Sequence, residues 1–400
     1  MAQSTAEADG PAIRLHGARI GLFYAALCLV YGVHLPYLPV WLDWRGLSPG
    51  EIALVTSLPF FFRVGVTPAV AIIADRAGAH RRTIVVMAWS ACVLALALSA
   101  AAGFWPILAC AVLYAIATAT LMPLIETIAV SGVRAAGLHY GRMRLWGSLS
   151  FLAIAFAGGA AIDAVGPGAA IWLLAGATLA TAGAAHLLPL PMAYRAEDAR
   201  APAGPFAADA KRLLRAPVFL VFLAAVGAAQ GSHAFFYTFG VLHWRAEGLS
   251  STWTGTLWAI GIFAEIALFA MPAAGLRKFG AAALLMAGAG AAAMRWTAMA
   301  FDPSLAVLIV LQLTHALTYG ATHLAAIRFI VRAAPSGAAA TAQALYSLAS
   351  GVALGLATLA GGWLYARFGG GGYAVMALLA LAGLAASAAL ARMWREEGAP

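Results

Sequence analysis

Runs of about 20 apolar residues, separated by short connections that carry arginine and glycine, recur from Ile20 almost to the end of the chain. Polar positions inside the runs are too sparse to give the alternation of a half-buried strand or the wide polar face of a surface helix. A helix of about 20 apolar residues crosses the hydrocarbon core of a bilayer. The pattern therefore predicts twelve spans, near residues 19–41, 51–74, 83–102, 105–131, 147–165, 168–190, 217–241, 253–274, 280–300, 303–328, 341–363 and 371–392. The fold class is all-α and polytopic, because a chain in lipid must satisfy its backbone hydrogen bonds within each segment or by closing a barrel. The run from Ile20 to Trp41 is too long for a secretory peptide and has no small-residue cleavage site, so it is expected to stay as the first span.

Composition agrees: 63% of the 400 residues are hydrophobic and 10% are charged, which leaves little for a water-soluble domain. The net charge of +9 changes the picture only through its placement. Connections leading from odd to even spans carry Arg45, Arg245 and Arg367, whereas the tails and the even-to-odd connections carry 19 basic residues. That asymmetry predicts both termini in the cytoplasm of a bacterial-type inner (plasma) membrane. The basic residues form no single patch, so nucleic acid is not an expected partner. Cys28, Cys92 and Cys110 sit in apolar runs without a CxxC or a histidine-rich neighbourhood, so neither a disulfide framework nor a metal site is expected. No phosphate-cradling glycine loop and no nucleophile–base pair is found, so the sequence supports neither ATP hydrolysis nor enzyme catalysis.

The chain carries traces of duplication. Gly32-Val33-His34, then Trp44-Arg45 and Gly46-Leu47-Ser48, recur in order as Gly231-Ser232-His233, Trp244-Arg245 and Gly248-Leu249-Ser250. Asp75-Arg76-Ala77-Gly78 after span 2 has a degraded counterpart in Arg277-Lys278-Phe279-Gly280 after span 8. The expected organisation is a six-helix bundle over 1–193, a polar cytoplasmic linker over 194–215 and a second six-helix bundle over 216–400. Such a chain resembles the major facilitator superfamily, whose signature after helix 2 is an Asp-Arg-x-Gly turn followed by basic residues, here Asp75, Arg76, Gly78, Arg81 and Arg82. The resemblance implies a conformational-gating role for Asp75, Arg76 and Gly78. The sequence departs from the pattern at Ala71, where glycine is usual, and in the second copy, which lacks the acid.

Four ionisable residues, Arg63, Glu126, Glu265 and Arg295, fall deep inside apolar runs. An ionised side chain there costs about 2.5–3.5 kcal/mol on insertion scales, so these residues either pair structurally or line a water-filled cavity. Glu126 follows Pro123 by three positions, and Tyr140-Gly141-Arg142-Met143-Arg144-Leu145-Trp146-Gly147 follows at the start of span 5. This neighbourhood is similar to that of the lactose permeases, which implies that Glu126 and Arg144 form a substrate-binding pair. Arg295 and His315 match the same family's helix 9 arginine and helix 10 histidine, used there for recognition and proton coupling. Where that family carries an acid three residues after its histidine, this chain has Thr318, so proton handling is expected to pass to Glu265, with Glu126 as a second carboxylate.

A closer likeness is to the phenylpropionate-permease branch, carried by Tyr140 through Ser148, Arg63, His233 through Tyr237, Trp258 with Glu265, Arg295-Trp296, and His315 through Arg328. It implies a proton symporter driven by the proton gradient and suggests a small-molecule substrate such as an aromatic carboxylate; the expected partners are lipid, protons and that substrate, with no cofactor, and the chain is expected to be monomeric. Arginine suits a carboxylate through its two-pronged guanidinium, and flat apolar walls suit an aryl ring. The expected substrate-binding residues are Arg63, Glu126, Arg144, His233, Tyr237, Trp258 and Arg295; the expected proton-coupling residues are Glu265, His315 and Glu126. A sugar or nucleoside symporter, a drug efflux antiporter and a membrane sensor that transports nothing remain as alternatives. Gly351-Val352-Ala353-Leu354-Gly355 and Gly158-Gly159-Ala160 are read as close helix packing without chemistry.

Overall fold

A computed structural model describes residues 4–190, 206–271, 279–335 and 337–394. Among them every regular element is helical. The first six helices are α1 (Ser4–Trp44), α2 (Pro49–Ala77), α3 (His80–Ala100), α4 (Phe104–Ala136), α5 (Tyr140–Val165) and α6 (Ala169–Leu187). Then come α7 (Phe206–Leu214), α8 (Pro217–Gly231), α9 (Ala234–Ala246), α10 (Ser251–Ala270), α11 (Ala281–Met299) and α12 (Leu305–Leu313). A π-helical turn (Ala316–Ala321) leads into α13 (Thr322–Ala333), and a four-glycine 3-10 turn (Gly369–Gly372) joins α14 (Ala339–Phe368) to α15 (Tyr373–Met393). Nine segments among the described residues are long and apolar enough to cross a membrane, or ten if the bent α2 counts as one span. One of those segments, Ala339–Met393, holds two helices, which brings the number to eleven, and with the 19-residue α11 (Ala281–Met299) the architecture is consistent with twelve spans.

Several boundaries differ from the sequence expectation for identifiable reasons. Helix α5 starts at Tyr140, not near 147, because its basic first turns read as connection although they are helical. Span 7 is broken at Ser232-His233 between α8 and α9, and span 10 is widened by the π turn. Part of the expected linker, Phe206–Leu214, is a short helix, while its first residues, 194–205, lie outside the described residues. Arg277 and Lys278 also lie outside them.

The chain packs as two compact units, one of 1–47, 62–197 and 250–256, the other of 48–61, 198–249 and 257–400. In the first, α1 lies against α5 and α6, and α3 against α4 and α6. Its interior holds Ile20, Phe23, Leu27, Leu121, Ile125 and Ile128, all 1% exposed or less. In the second, α8 lies against α14 and α15, and α11 against α15 and the π turn with α13. This is the same neighbour scheme with span 7 in place of span 1, which is what duplication of a six-helix ancestor would leave. The repeated Trp-Arg segments also end alike. Leu47 N–H bonds the carbonyl of Leu42 and Leu249 N–H that of Trp244, with Gly46 and Gly248 at φ +83° and +89°. Only glycine adopts that left-handed conformation without a Cβ penalty, so the recurring glycine is a helix stop.

Packing between apolar helices in lipid relies on close approach, not on the hydrophobic effect, and small residues permit it. In the first unit Tyr37 donates its hydroxyl to the Ala155 carbonyl, and a Cβ on Gly255 would collide with both groups. Asp163 closes the same contact by accepting from the Ser251 and Thr252 backbone N–H groups at 2.7 and 2.8 Å, at the start of α10. A carboxylate there meets the unsatisfied donors and the positive end of the helix dipole. In the second unit a Cβ on Gly355 would lie 2.7 Å from the Phe61 ring. The packing role read for the glycine runs is therefore observed at Gly159, beside Ser251, and at Gly355.

Candidate functional site

In the first unit, Arg144 stands one turn into α5 and leans on α1. Its guanidinium lies over the Tyr24 ring, 5.5 Å from the centroid, and 3.6 Å from Cys28 Sγ. Glu126 on α4 accepts a hydrogen bond of 3.0 Å from the Tyr140 hydroxyl. The carboxylate and the guanidinium act on each other and on both tyrosines electrostatically, but among the described residues they do not touch within ion-pair distance. Gly147 makes the arrangement possible, because a Cβ there would lie 2.8 Å from both the Arg144 guanidinium and Cys28 Sγ. Gly147→Ala is expected to destabilise the unit by about 1–3 kcal/mol, the usual range for overpacking. A lowered Tm of the purified protein in detergent would register it, and an unchanged Tm would mean that the arginine site yields freely.

Arg63 on α2 lies within electrostatic reach of Tyr31 and His34 on α1. His34 stacks on Tyr114 at 5.6 Å, and Tyr31 donates to the Thr118 carbonyl at 3.3 Å. These residues bring a cation, two aromatic hydroxyls and an imidazole to one region of the unit. At the other end of α2, Asp75 accepts from His80 Nε2 at 2.6 Å, and Gly78 turns the chain with φ +58°. Asp75 thus engages the first residue of α3, while Arg76 stays exposed.

The second unit holds the denser constellation. Arg295 on α11 is fully buried. It donates to Gln312 Oε1 at 2.6 Å and to His315 Nδ1 at 3.3 Å, and approaches Thr318 Oγ at 3.5 Å. Its guanidinium carbon lies 4.9 Å from the Phe236 centroid and 4.7 Å from that of Trp296, within cation–π range. Since His315 Nδ1 accepts from arginine, a neutral ring carries its proton on Nε2, which faces Glu265 Oε2 across 3.7 Å. Arginine, histidine and carboxylate therefore stand in series. His233 is fixed in parallel: its Nδ1–H donates to the Ala229 carbonyl at 3.0 Å, and its Nε2 accepts from the Thr318 hydroxyl at 3.1 Å. Breaking span 7 at His233 places the imidazole where α8 ends, between Trp296 at 5.1 Å and His315 at 6.0 Å.

Aromatic rings wall this cluster. Trp258 stacks on Phe236 at 5.1 Å, and Tyr237 stands 5.9 Å from Trp258. His315, Tyr319 and His323 stack at 5.4 and 6.2 Å with planes within 10° of each other, and His323 reaches the Tyr346 hydroxyl at 3.3 Å. Among the described residues, Arg295 Nε, Gln312 Nε2 and Trp258 Nε1 are buried donors that make no hydrogen bond. Buried donors are nearly always satisfied in native structures, so these three are available to a bound polar group.

The sequence-predicted residues therefore fall into groups: His233, Tyr237, Trp258, Glu265, Arg295 and His315 lie together in the second unit, and Glu126 and Arg144 together in the first. Thr318, Tyr24 and Cys28 join them without having been expected as site residues. Thr318 stands three residues after His315 and so on the same helical face, a signal that could have found it. Tyr24 and Cys28 are four apart on one face of α1, but only their contact with Arg144, 116 residues from Cys28, gives that spacing meaning.

Ionic side chains set within a bundle of apolar spans, one of them, Arg295, fully buried, on a twice-used neighbour scheme, fit a secondary transporter of the major facilitator type. A family model described as "MFS_1 like family" matches residues 19–373, and the chain belongs to that family. It is 30% identical over 371 residues to a probable 3-phenylpropionic acid transporter of Escherichia coli K12, covering 90% of this chain and 94% of that one. It is 28% identical over 389 residues to the maltose permease of Geobacillus stearothermophilus, covering 94% and 95%. The crystal structure of the nucleoside transporter NupG superposes with a TM-score of 0.78 at 15% identity over 95% of this chain and 99% of that one, which speaks to the fold.

Proposed function

We propose that the protein is a proton-coupled symporter of the inner membrane, with both termini cytoplasmic, that imports a small organic anion with an aromatic or apolar body. The observation that carries this reading is Arg295: a fully buried guanidinium between Phe236 and Trp296, with no carboxylate in ion-pair contact among the described residues. A buried cation is costly unless compensated. A substrate carboxylate would compensate it, and the ring walls would take the substrate's apolar part. Glu265, reached through His315, is the assigned proton carrier: protonated as the anion enters and released afterwards, it would link the two movements. Arg63 and Arg144 are assigned to substrate contact in the first unit, with Glu126 balancing Arg144. The similarity to a probable 3-phenylpropionic acid transporter supports the substrate class.

The test is uptake into proteoliposomes under an imposed pH gradient, inside alkaline, with labelled 3-phenylpropionate and labelled maltose. Accumulation of phenylpropionate that collapses with a protonophore is expected. Accumulation of maltose alone would overturn the anion reading in favour of a sugar symporter. That second reading has its own support in the Tyr140–Glu126 and Arg144–Tyr24 contacts and in the maltose permease similarity.

A further inference from the structure

Away from the buried cluster, three side chains of the second unit converge at one end of the helices. His243 lies in the last turn of α9, and Glu247 follows it by four residues and caps the same helix, so both project from one face. Asp302 comes from the turn between α11 and α12. One ligand atom from each of the three lies within 4.8 Å of the others. The His243 side chain is 8% exposed, with Nε2 presented to Asp302 Oδ1 at 2.6 Å. Glu247 brings a carboxylate oxygen to the same group and makes no side-chain hydrogen bond among the described residues.

Two backbone features shape this place. Asp302, at φ +49°, is the one non-glycine residue with positive φ among the described residues, and its carboxylate meets the imidazole from that turn. Gly370, in the 3-10 turn before α15, packs its backbone directly against the pair: a Cβ there would collide with His243 Nε2 and lie 2.6 Å from Asp302 Oδ1. A pair needed only to tie two loops together has no use for a third carboxylate.

We propose that His243, Glu247 and Asp302 bind a divalent transition-metal ion, with zinc as the reference case. An imidazole nitrogen with two carboxylate oxygens favours zinc over magnesium or calcium, which prefer all-oxygen shells. Three protein ligands leave the fourth tetrahedral position to water. Zinc–ligand bonds of about 2.0–2.2 Å need neighbouring donors about 3.4 Å apart, so the histidine–aspartate pair has to widen by less than about 1 Å and Glu247 has to close in. The three donors sit at ends joined by the connections that carry few basic residues. On the positive-inside reading, that is the face from which an ion arrives without crossing the membrane.

The full chain, purified in detergent with a tag free of histidine, would be titrated calorimetrically with zinc and, separately, with magnesium. One saturable zinc site per chain and no magnesium heat are expected. Glu247→Gln, at an exposed position, and Asp302→Gly, which keeps the turn's preferred φ, should each weaken zinc binding at least about tenfold. Failure of zinc to saturate one site, unchanged affinity in both variants, or magnesium binding equal to zinc would each overturn the proposal. None of these outcomes depends on what the transporter carries.

Discussion

Arg295→Lys is expected to weaken substrate binding markedly while the protein still inserts and folds. Lysine keeps the positive charge but lacks the planar fork that reaches Gln312 with one nitrogen and His315 with another, and it cannot lie flat between Phe236 and Trp296. Losing a hydrogen bond to a charged group costs about 1.5–3 kcal/mol, so substrate affinity should fall at least roughly tenfold. Counterflow in proteoliposomes at a series of phenylpropionate concentrations measures this, with Tm as the control for folding. Unchanged half-saturation in a folded variant would remove Arg295 from substrate contact and move the anion site to Arg63 and Arg144.

Glu265→Gln should separate exchange from accumulation. Glutamine preserves shape and hydrogen bonding toward His315 but cannot carry a proton, so uptake driven by a pH gradient should drop at least about tenfold while counterflow, which needs no net proton movement, continues. The 3.7 Å between His315 Nε2 and Glu265 Oε2 makes the pair short enough for transfer after a small movement. If Glu265→Gln still concentrates substrate, coupling belongs to Glu126, and the same substitution test then passes to that residue and its Tyr140 partner.

The spans could be read from the chain because membrane insertion imposes a simple local rule: about 20 apolar residues, then a connection. The repeat was legible for a similar reason, since Trp44-Arg45-Gly46 and Trp244-Arg245 with Gly248 end helices by the same turn. What stayed hidden depends on distant partners. Thr318 looks like a plain departure from a family acid until His233, 85 residues away, is seen to accept its hydroxyl proton. The early start of α5 escaped because Arg142 and Arg144 resemble a connection in composition, although the second lies against Tyr24 and Cys28. His243 and Asp302 escaped because they are 59 residues apart and each is ordinary taken singly.

The wide turn at Ala316–Ala321 sets the phase of everything beyond it. In a regular helix each residue advances about 100°, so positions eight apart, such as His315 and His323, would point about 80° away from each other. One additional residue absorbed by a π bulge cancels most of that difference, leaving an offset of roughly 20°. His315, Tyr319 and His323 therefore form a single ring column along one helix side, leading from Glu265 to Tyr346. Tightening the bulge would swing His323 out of line in a single step, so the continuity of that column is governed by one backbone register and not by any of its three side chains.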